Sequence, residues 1–385
     1  MSDRFQIRIA THEPEREAFF TAADAASDRL TPFQSADWLK AWYGAFPSRT
    51  LRPLLVSVHD RRAAPDEGLA FSLPLVRRWR YGLPVVEFAD RGVTDYNLPI
   101  PGPAMPRDPA AMMEAFASVS RALRPHVRFA LHKMPAARPD GTAYAPLPTL
   151  SPARAGPDRS SEPLTAYICD LGGSADAFAA RLGSKKCKDL RRRRRALAAL
   201  GHEPAFRFAA DAGERRAVLD LIARSQHSRY GDAAGYLLDR PRYEAFYQGL
   251  ACGDAACSRA GFARLAALWM GDRPVAGLLA LVQGGQCVVI RLGMVEDAEI
   301  ARAGPGKLLL HAFGDWAAGG GIATLDLSLG HNDLKAWFRC RPIALKQHVT
   351  YANGLLDASL VGRVSIGGAS ASATPGKTNE RTASA

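Results

Sequence analysis

The sequence predicts a mixed α/β fold in which two similar units follow one another along the chain. The order strand–strand–strand–helix–strand occurs over residues 54–131 and again over residues 265–327. A supersecondary order that recurs predicts a duplicated architecture even where the residues themselves differ. With 385 residues, 47% of them apolar and 23% charged, the chain is long enough for two globular domains.

The first copy of this order begins after two predicted helices near the N-terminus. Its helix has no Gly-Pro-Gly opening, and only Pro101-Gly102-Pro103 precedes it by several residues. We therefore predict a structural or substrate-binding unit and not a coenzyme-binding one. Its predicted elements are helices 13–25 and 36–45, strands 54–58, 69–76 and 85–88, helix 109–123 and strand 127–131.

The second copy has clearer signals for its turns and helix ends. Gly271-Asp272 and Gly284-Gly285 are two-residue hairpin turns, so they divide an apolar stretch into three antiparallel strands. A helix follows Gly304-Pro305-Gly306 and ends at a run of three glycines. The predicted elements are strands 265–269, 275–282 and 287–292, helix 307–318 and strand 322–327, preceded by helices 176–182, 186–200, 214–226 and 241–251.

Composition sets the domain limits. Residues 135–163 are rich in Pro, Ala, Gly and Ser, and the last residues of the chain lack apolar periodicity. We predict an N-terminal unit at 1–147, a linker at 148–165, a C-terminal unit at 166–363 and a disordered tail at 364–385.

Charge and cysteine usage exclude several classes of protein. The formal charge is +12, but no nucleic-acid-reading motif accompanies it, so a nucleic-acid partner is not predicted. The N-terminus lacks the apolar segment of a signal peptide, and no run approaches the ~18 apolar residues of a membrane span. The six cysteines form no CxxC pair and have no zinc-ligand spacing. We expect a cytoplasmic protein with reduced thiols and no metal.

The turn Gly304-Pro305-Gly306 is a candidate anion site. A helix that opens directly after such a turn presents backbone N–H groups at its positive end, which suits a phosphate or pyrophosphate. Proline fits the first helical turn, and the glycines allow a ligand to approach the backbone. Arg302 and Lys307 add positive charge beside the turn.

These elements resemble the GNAT acyltransferases, and in detail their CelD-like branch, which is associated with bacterial cellulose and exopolysaccharide synthesis. That branch has a Pro-Gly pair opening a Leu-rich helix, a strand with an Asp, and a Lys followed by aromatic residues. The matching segments are 305–312, 325–327 and 335–338, with Phe33-Gln34, Trp38-Leu39, Trp42, Asp95-Tyr96 and the basic helix 185–195 as further matches. The commoner GNAT signature is matched only in part, because Arg302 stands one residue closer to the glycines than usual.

The resemblance implies tandem GNAT-like units with transfer of an acyl group, most simply acetyl, from acetyl-CoA to an amine or hydroxyl. Gly304 and Gly306 would hold the pyrophosphate, and backbone N–H groups from Ile290 to Leu292 would hold the thioester carbonyl. A sugar or another small molecule would be the acceptor, and peripheral association with an envelope-synthesis system would fit the branch. The acceptor would bind near Asp326, His331 and Lys335 in the second unit and Asp95 and Tyr96 in the first.

Each candidate residue has a second interpretation. Asp326 points away from Leu325 and Leu327 and is either a general base or a buried structural carboxylate. His331, in a loop, is chemically suited to deprotonating a hydroxyl, although loop histidines are usually solvated. Lys335 is expected to bind an anion, since a lysine acts as a base only after a large drop in its pKa. The arginine run within 185–195 is either a solvated helix face or a docking surface for a negatively charged acceptor.

Two other functions stay open from the sequence. One is a FemAB-like transferase, which shares the tandem units and would place the arginine run on an aminoacyl-tRNA. The other is a non-catalytic, degenerate GNAT that serves as a scaffold, for which the shortened spacing after Arg302 is the main argument. A nucleic-acid-binding regulator is the least favoured, because no reading element accompanies the charge.

Overall fold

The computed structural model describes residues 4–64, 67–138, 141–142, 144, 151–152, 163–230, 241–252 and 261–351. The strands are β1 (Phe5–Ile9), β2 (Leu51–Asp60), β3 (Leu69–Arg80), β4 (Leu83–Phe88), β5 (Ile100–Pro101), β6 (Arg128–Pro135), β7 (Ser151–Pro152), β8 (Thr165–Asp170), β9 (Pro204–Phe208), β10 (Ala263–Met270), β11 (Arg273–Gln283), β12 (Gln286–Met294), β13 (Thr324–Leu329) and β14 (Arg341–Tyr351). The α-helices are α1 (Glu13–Ala25), α2 (Ala36–Ala45), α3 (Pro109–Ala122), α4 (Ala175–Leu182), α5 (Ser184–Ala198), α6 (Ala212–Tyr230), α7 (Pro241–Cys252), α8 (Ala298–Ala303), α9 (Pro305–Gly319) and α10 (Asp333–Trp337).

One mixed sheet runs through both halves of the chain. Its order is β1-β2-β3-β4-β6-β14-β8-β13-β12-β11-β10-β9, with β5 beside β3 and β7 beside β14. The strand β14 joins the two halves, because its first residues pair with β8 and its later residues pair with β6. The last described strand of the second unit therefore completes the sheet of the first.

The predicted α/β fold of tandem units is confirmed by the strand pairing. In the first half, β2, β3 and β4 form an antiparallel meander, and β4 then pairs in parallel with β6 after helix α3. In the second half, β10, β11 and β12 form the same meander, and β12 pairs in parallel with β13 after α9. Because two parallel strands cannot be joined by a tight turn, each of these connections passes through a helix, α3 in the first half and α9 in the second.

The core of the protein consists of three apolar clusters, one in each unit and one shared by both. One lies between the first half of the sheet and α3, and a second lies under α4, α5 and α9. The third spans both halves and includes Trp38 of α2 and Phe246 of α7, whose rings meet edge to face at 5.0 Å. The side chain of Ser35 caps α2 by accepting a hydrogen bond from the Trp38 N–H. This shared core fixes how the two units meet.

Some elements were absent from the sequence prediction. Strands β9 and β14 were not predicted, and the loop before Gly304 contains the short helix α8, which Asp297 caps through the N–H groups of Glu299 and Ile300. Most of the predicted linker and the whole predicted tail lie outside the described residues. Within the linker, Ser151 and Pro152 pair with β14.

The expectation that every thiol is reduced is wrong in this structure. Cys169 of β8 and Cys340, just before β14, form a disulfide across neighbouring antiparallel strands. The sequence could not show this, because 171 residues separate the two positions. Cys187 and Cys287 are free. None of the helices that the structure describes is both long and apolar enough to cross a bilayer.

Candidate active site

The strands β12 and β13 lie side by side over only three residue pairs and then separate. Their parallel pairing runs from Gln286 opposite Thr324 to Val288 opposite Asp326, and both strands continue beyond it. The two strands thus form a V whose closed end lies at Asp326. Beyond that point the ladder between them has ended, so the facing backbone edges can hydrogen-bond an extended ligand.

A β-bulge shapes the β12 arm of this V. The register with β11 passes from Leu279 opposite Arg291 to Ala280 opposite Val289, so Ile290 is an additional residue in β12. A bulge twists the strand and changes the direction of its backbone groups. The carbonyl oxygen of Ile290 accepts a hydrogen bond of 2.6 Å from the Arg291 guanidinium. The predicted carbonyl-binding positions Ile290 and Leu292 therefore lie on this reshaped arm.

The turn that opens α9 has fewer available N–H groups than the sequence suggested. Gly304 is left-handed (φ 72°) and donates its N–H to the Ala301 carbonyl at 2.9 Å. The Lys307 N–H donates to the Gly304 carbonyl at 3.1 Å, and Pro305 has no N–H. These bonds leave the N–H of Gly306 available for an anion. This N–H lies at the positive end of a 15-residue helix.

Basic side chains from α5 surround the same turn. The Arg193 guanidinium donates to the Ala303 carbonyl at 3.2 Å and is tied to Asp189 at 2.7 Å. The ammonium groups of Lys186 and Lys307 lie 5.2 and 5.1 Å from the centre of the Trp337 ring. Burial, followed by neighbouring positive charge, lowers the pKa of both lysines.

The sequence missed Arg193 and Lys186 as residues of this site. The arginine run was the signal, and the prediction of a solvated face holds for Arg191, Arg192, Arg194 and Arg195, which are exposed. Arg193 differs from them because helical spacing turns it toward α8 and α9. Arg302, which the sequence favoured, is exposed on α8.

Asp326 lies in a buried polar cluster that both units build. Its carboxylate accepts hydrogen bonds from the Tyr96 hydroxyl at 2.8 Å and from the Ser328 N–H at 2.6 Å. The Ser328 hydroxyl in turn donates to Asp95. A bulge between Asp326 and Leu329, with Ser328 at φ 62°, turns β13 toward this cluster. The structure thus brings Asp95 and Tyr96 close to Asp326. All three were predicted to lie where the acceptor binds.

The environment of Asp326 changes its acidity. Burial raises the pKa of this carboxyl from 3.8 to about 7, against the hydrogen bonds from Tyr96 and Ser328, which favour the carboxylate. The pKa of Tyr96 is raised well above its ordinary value by burial and by the adjacent Asp326 charge. A carboxyl with a pKa near neutrality suits proton transfer at physiological pH.

The Lys335 side chain binds backbone carbonyl groups in this structure. Its buried ammonium group donates to the carbonyl oxygens of Ser328, Leu329 and Gly330, at 2.9, 2.5 and 2.6 Å. An ammonium group has three N–H donors, so these contacts use them all. Burial lowers the pKa of Lys335 to about 8. The geometry therefore assigns Lys335 to holding the end of β13 and not to the expected anion binding.

His331 lies apart from this cluster. It is exposed at the start of the α10 segment, and its ring packs 5.6 Å from the ring of Tyr167. Of the two predicted catalytic residues, Asp326 is thus buried in the polar cluster and His331 is exposed. No group of metal-binding side chains is found within the described part of the chain.

The corresponding V of the first unit is filled by its own loop. There β4 and β6 also pair over three positions, ending at Glu87 opposite Ala130. Beyond this pair the Asn97 N–H donates to the Lys133 carbonyl at 3.0 Å, and the Lys133 ammonium lies 2.9 Å from Asp90. The loop 89–98 occupies the space that a ligand would need. This packing supports the prediction that the first unit does not bind coenzyme.

A cleft of about 970 Å³ opens beside the second V. It lies between α6 and the end of β12, and Met294 connects it to the turn: a Cβ on Gly306 would meet the Met294 sulfur at 4.0 Å. The α6 residues Val218 and Ile222 share an apolar cluster with Val288 and Ile168, the residues opposite Asp326. The charged residues of the cleft are Asp220, Arg224, Arg273, Glu296 and Asp297, and His227 also lines it.

Comparison with known proteins agrees with this arrangement. Residues 184–336 match a family model described as an acetyltransferase (GNAT) domain. This segment, which includes β12, α9 and β13, is therefore similar to a GNAT-type acetyltransferase domain. No curated protein matches the chain.

Several solved structures are similar to nearly the whole chain. FemX is 11% identical with a TM-score of 0.56, covering 93% of this chain and 100% of that chain. A conserved protein of unknown function from Bacteroides thetaiotaomicron VPI-5482 is 14% identical with a TM-score of 0.50, covering 89% and 99%. A tandem GNAT protein from the clavulanic acid biosynthesis pathway is 12% identical, with a TM-score of 0.46 and coverage of 91% and 99%. At these identities the likeness concerns the fold alone.

Proposed function

We propose that the protein transfers an acyl group, most simply acetyl, from acyl-CoA to an amine or hydroxyl acceptor in the second unit. The observation that carries this proposal is the V between β12 and β13, with a bulge at Ile290 on one arm and Asp326 at its closed end. The pantetheine amides would pair with the free edge of β12. The pyrophosphate would meet the Gly306 N–H, Lys307 and the α5 side chains at the start of α9.

The chemistry follows from the two faces of the sheet. Leu325 and Leu327 pack under α9, whereas Asp326 points to the face that carries Tyr96 and α6. The acceptor would approach on the Asp326 face and lose its proton to that carboxylate. It would then attack the thioester carbonyl, whose developing oxyanion is stabilised by backbone N–H groups of 290–292. The CoA thiolate departs, and Lys335 and Ser328 hold the base in place.

The acceptor class is inferred from the CelD-like motifs and from the lining of the cleft. The CelD-like motifs favour a sugar or another small molecule of polysaccharide or cell-envelope synthesis, handled by a cytoplasmic enzyme. The cleft beside α6 has carboxylates for a cationic group and arginines for an anionic one. An acceptor with both kinds of charge would match this lining.

The proposal is tested first at the turn. Replacing Gly306 by Glu places a negative charge where the pyrophosphate would lie, and we expect acetyl-CoA affinity to fall by about tenfold or more. The fold should be kept, because the added Cβ has space and an acidic residue in the first helical turn is favourable. Calorimetric titration with acetyl-CoA measures the effect.

The matched control is Gly306→Gln, which adds the same bulk without the charge. If the Gln variant keeps most of the affinity and the Glu variant loses it, an anion is bound at this turn. Equal affinity for the Glu variant and the wild type would refute the site. If the wild type binds no acyl-CoA at all, the proposed donor is wrong and the scaffold function becomes the better explanation.

A second test concerns the proton acceptor. Tyr96→Phe removes a hydrogen bond that favours the carboxylate form, so the pKa of Asp326 should rise further. The acidic limb of the pH profile of kcat/KM should therefore move to higher pH. Tyr43→Phe, which removes a buried hydroxyl bonded to the Leu75 carbonyl in the first unit, should leave the limb in place. An unshifted limb in Tyr96→Phe would remove Asp326 as the titrating base.

A FemAB-like, aminoacyl-tRNA-dependent transfer is the second candidate. The fold similarity to FemX over nearly the whole chain favours it, together with the exposed arginines of α5. Transfer of a radiolabelled aminoacyl group from tRNA to an acceptor, with no consumption of acetyl-CoA, would identify this function.

A further inference from the structure

The hairpin between β3 and β4 projects from the edge of the first unit. The last pair between β3 and its neighbour β2 is Arg78 with Leu51, and the pairing of β4 with β6 starts only at Val85. Just outside these pairs the Trp79 N–H donates to the Thr50 carbonyl and the Pro84 carbonyl accepts from the Val127 N–H, so residues 80–83 extend beyond both flanking strands. This segment has no role in the site described above.

Two aromatic side chains stand exposed on this tip. Trp79 is 42% exposed and Tyr81 is 78% exposed, whereas Trp38 and Trp42 are fully buried. Trp79 is the next-to-last residue of β3 and Tyr81 directly follows the end of this strand, so both rings lie at the tip of the hairpin. Exposed aromatic residues grouped at one place indicate an interaction surface.

The backbone of the turn adds an independent argument. Tyr81 and Gly82 both have positive φ angles, 48° and 76°. At the same turn of the second unit, between β11 and β12, Gly284 and Gly285 have φ angles of 54° and 74°. A left-handed position suits Gly or Asn and is unfavourable for an aromatic residue. The first unit thus has Tyr81 where the second unit has Gly284, although glycine would be the more favourable residue for folding at this position.

Positive charge surrounds the two rings. The Arg80 guanidinium lies 5.6 Å from the centre of the Tyr81 ring. Arg77 and Arg78 precede it on the same strand, where Arg77 donates to the Leu123 carbonyl at 2.7 Å, and the exposed Arg52 lies opposite Arg77 on β2. Glu87 is the acidic residue of this hairpin, and it pairs with Arg78 at 2.9 Å. The tip therefore has an excess of positive charge around exposed aromatic rings.

We propose that this hairpin tip docks on the surface of an anionic phospholipid bilayer. Trp and Tyr rings are favoured at the headgroup level, where an apolar ring and a polar edge are both satisfied. Arginines beside them pair with lipid phosphates, and each contributes through the negative surface potential. A projecting tip can enter a headgroup layer, whereas single-stranded nucleic acids are held in grooves. This inference does not depend on the acyl-transfer proposal.

Vesicle flotation of the full-length protein tests the surface. We expect binding to vesicles with ~30% phosphatidylglycerol in phosphatidylcholine and about tenfold weaker binding to pure phosphatidylcholine, as Arg52 and Arg80 would give at moderate salt. Tyr81→Gly copies the second unit and relieves the left-handed position, so it should fold at least as well as the wild type. Combined with Trp79→Thr, it should lower binding to the anionic vesicles by about tenfold.

The control is the double variant Arg191→Ser, Arg195→Ser, which removes exposed positive charge from α5 and should leave vesicle binding unchanged. The proposal is overturned if the wild type does not float with anionic vesicles, or if the Tyr81→Gly, Trp79→Thr protein binds as well as the wild type. Binding of a bulk tRNA sample that is lost in the hairpin variant, without vesicle binding, would overturn it in favour of a nucleic-acid surface.

Discussion

Replacing Asp326 by Asn is expected to lower kcat of acyl transfer by about 10²–10⁴-fold, because the reaction loses its proton acceptor. The fold should persist, since the Asn side-chain carbonyl can still accept from the Tyr96 hydroxyl and the Ser328 N–H. Steady-state kinetics with acetyl-CoA and an amine acceptor measure the loss. Acetyl-CoA affinity should change little, because the carboxylate lies on the face of the sheet away from α9.

Asp170→Asn is the matched control for this prediction. Asp170 is an exposed carboxylate on the neighbouring strand β8 that pairs with Arg181, so its loss should leave kcat near the wild-type value. An Asp326→Asn enzyme with undiminished kcat would show that Asp326 is a structural residue, which was the second interpretation of this position.

Stability against pH gives a separate readout of Asp326. Its folded-state pKa of about 7 lies above the ordinary value of 3.8, so the folded protein keeps a proton that the unfolded chain releases between these values. The stabilisation from this group is complete below about pH 4 and is lost as the pH rises through about 7. Urea unfolding across this range should show a fall in stability that Asp326→Asn reduces.

The second large effect is expected from Gly293→Ala, at the end of β12. A Cβ at this position would lie 2.7 Å from the Ile222 Cα and 3.0 Å from the Ser225 Cβ, both in α6. Because a helix backbone cannot move aside as a side-chain end can, we expect a loss of about 1–3 kcal/mol of unfolding free energy. The bond from the Met294 N–H to the Ser225 hydroxyl would also be strained, which should alter the cleft and weaken acceptor binding.

Gly249→Ala makes the same chemical change at a position where the added Cβ has open space. Gly249 lies within α7, and an added Cβ there meets nothing within 4 Å. Alanine should stabilise that helix by up to about 1 kcal/mol. Thermal unfolding of both variants compares them directly. A Gly293→Ala protein as stable as the wild type would show that α6 does not press on β12 as the structure indicates.

The sequence determined the repeated strand order and much of the turn chemistry. The helices at 13–25 and 36–45 were predicted with the bounds that the structure has, because their apolar spacing and flanking residues are local signals. Two-residue glycine turns likewise divided the second meander correctly. The helix opening at Pro305 was found for the same reason, since its signal is contained in a few adjacent residues.

The composition of the candidate site depended on tertiary structure. Tyr96 and Asp326 are 230 residues apart in the chain, and only the packing of the two units joins their side chains. The same holds for Arg193 at the Gly304 turn, for the disulfide between Cys169 and Cys340, and for β14, which links the two halves of the sheet. The three carbonyls that surround Lys335 were equally invisible, because they come from a bulge that bends the end of β13. Local residue patterns specify helices, strands and turns, but which distant side chains meet is decided by how the sheet is assembled and which groups it buries together.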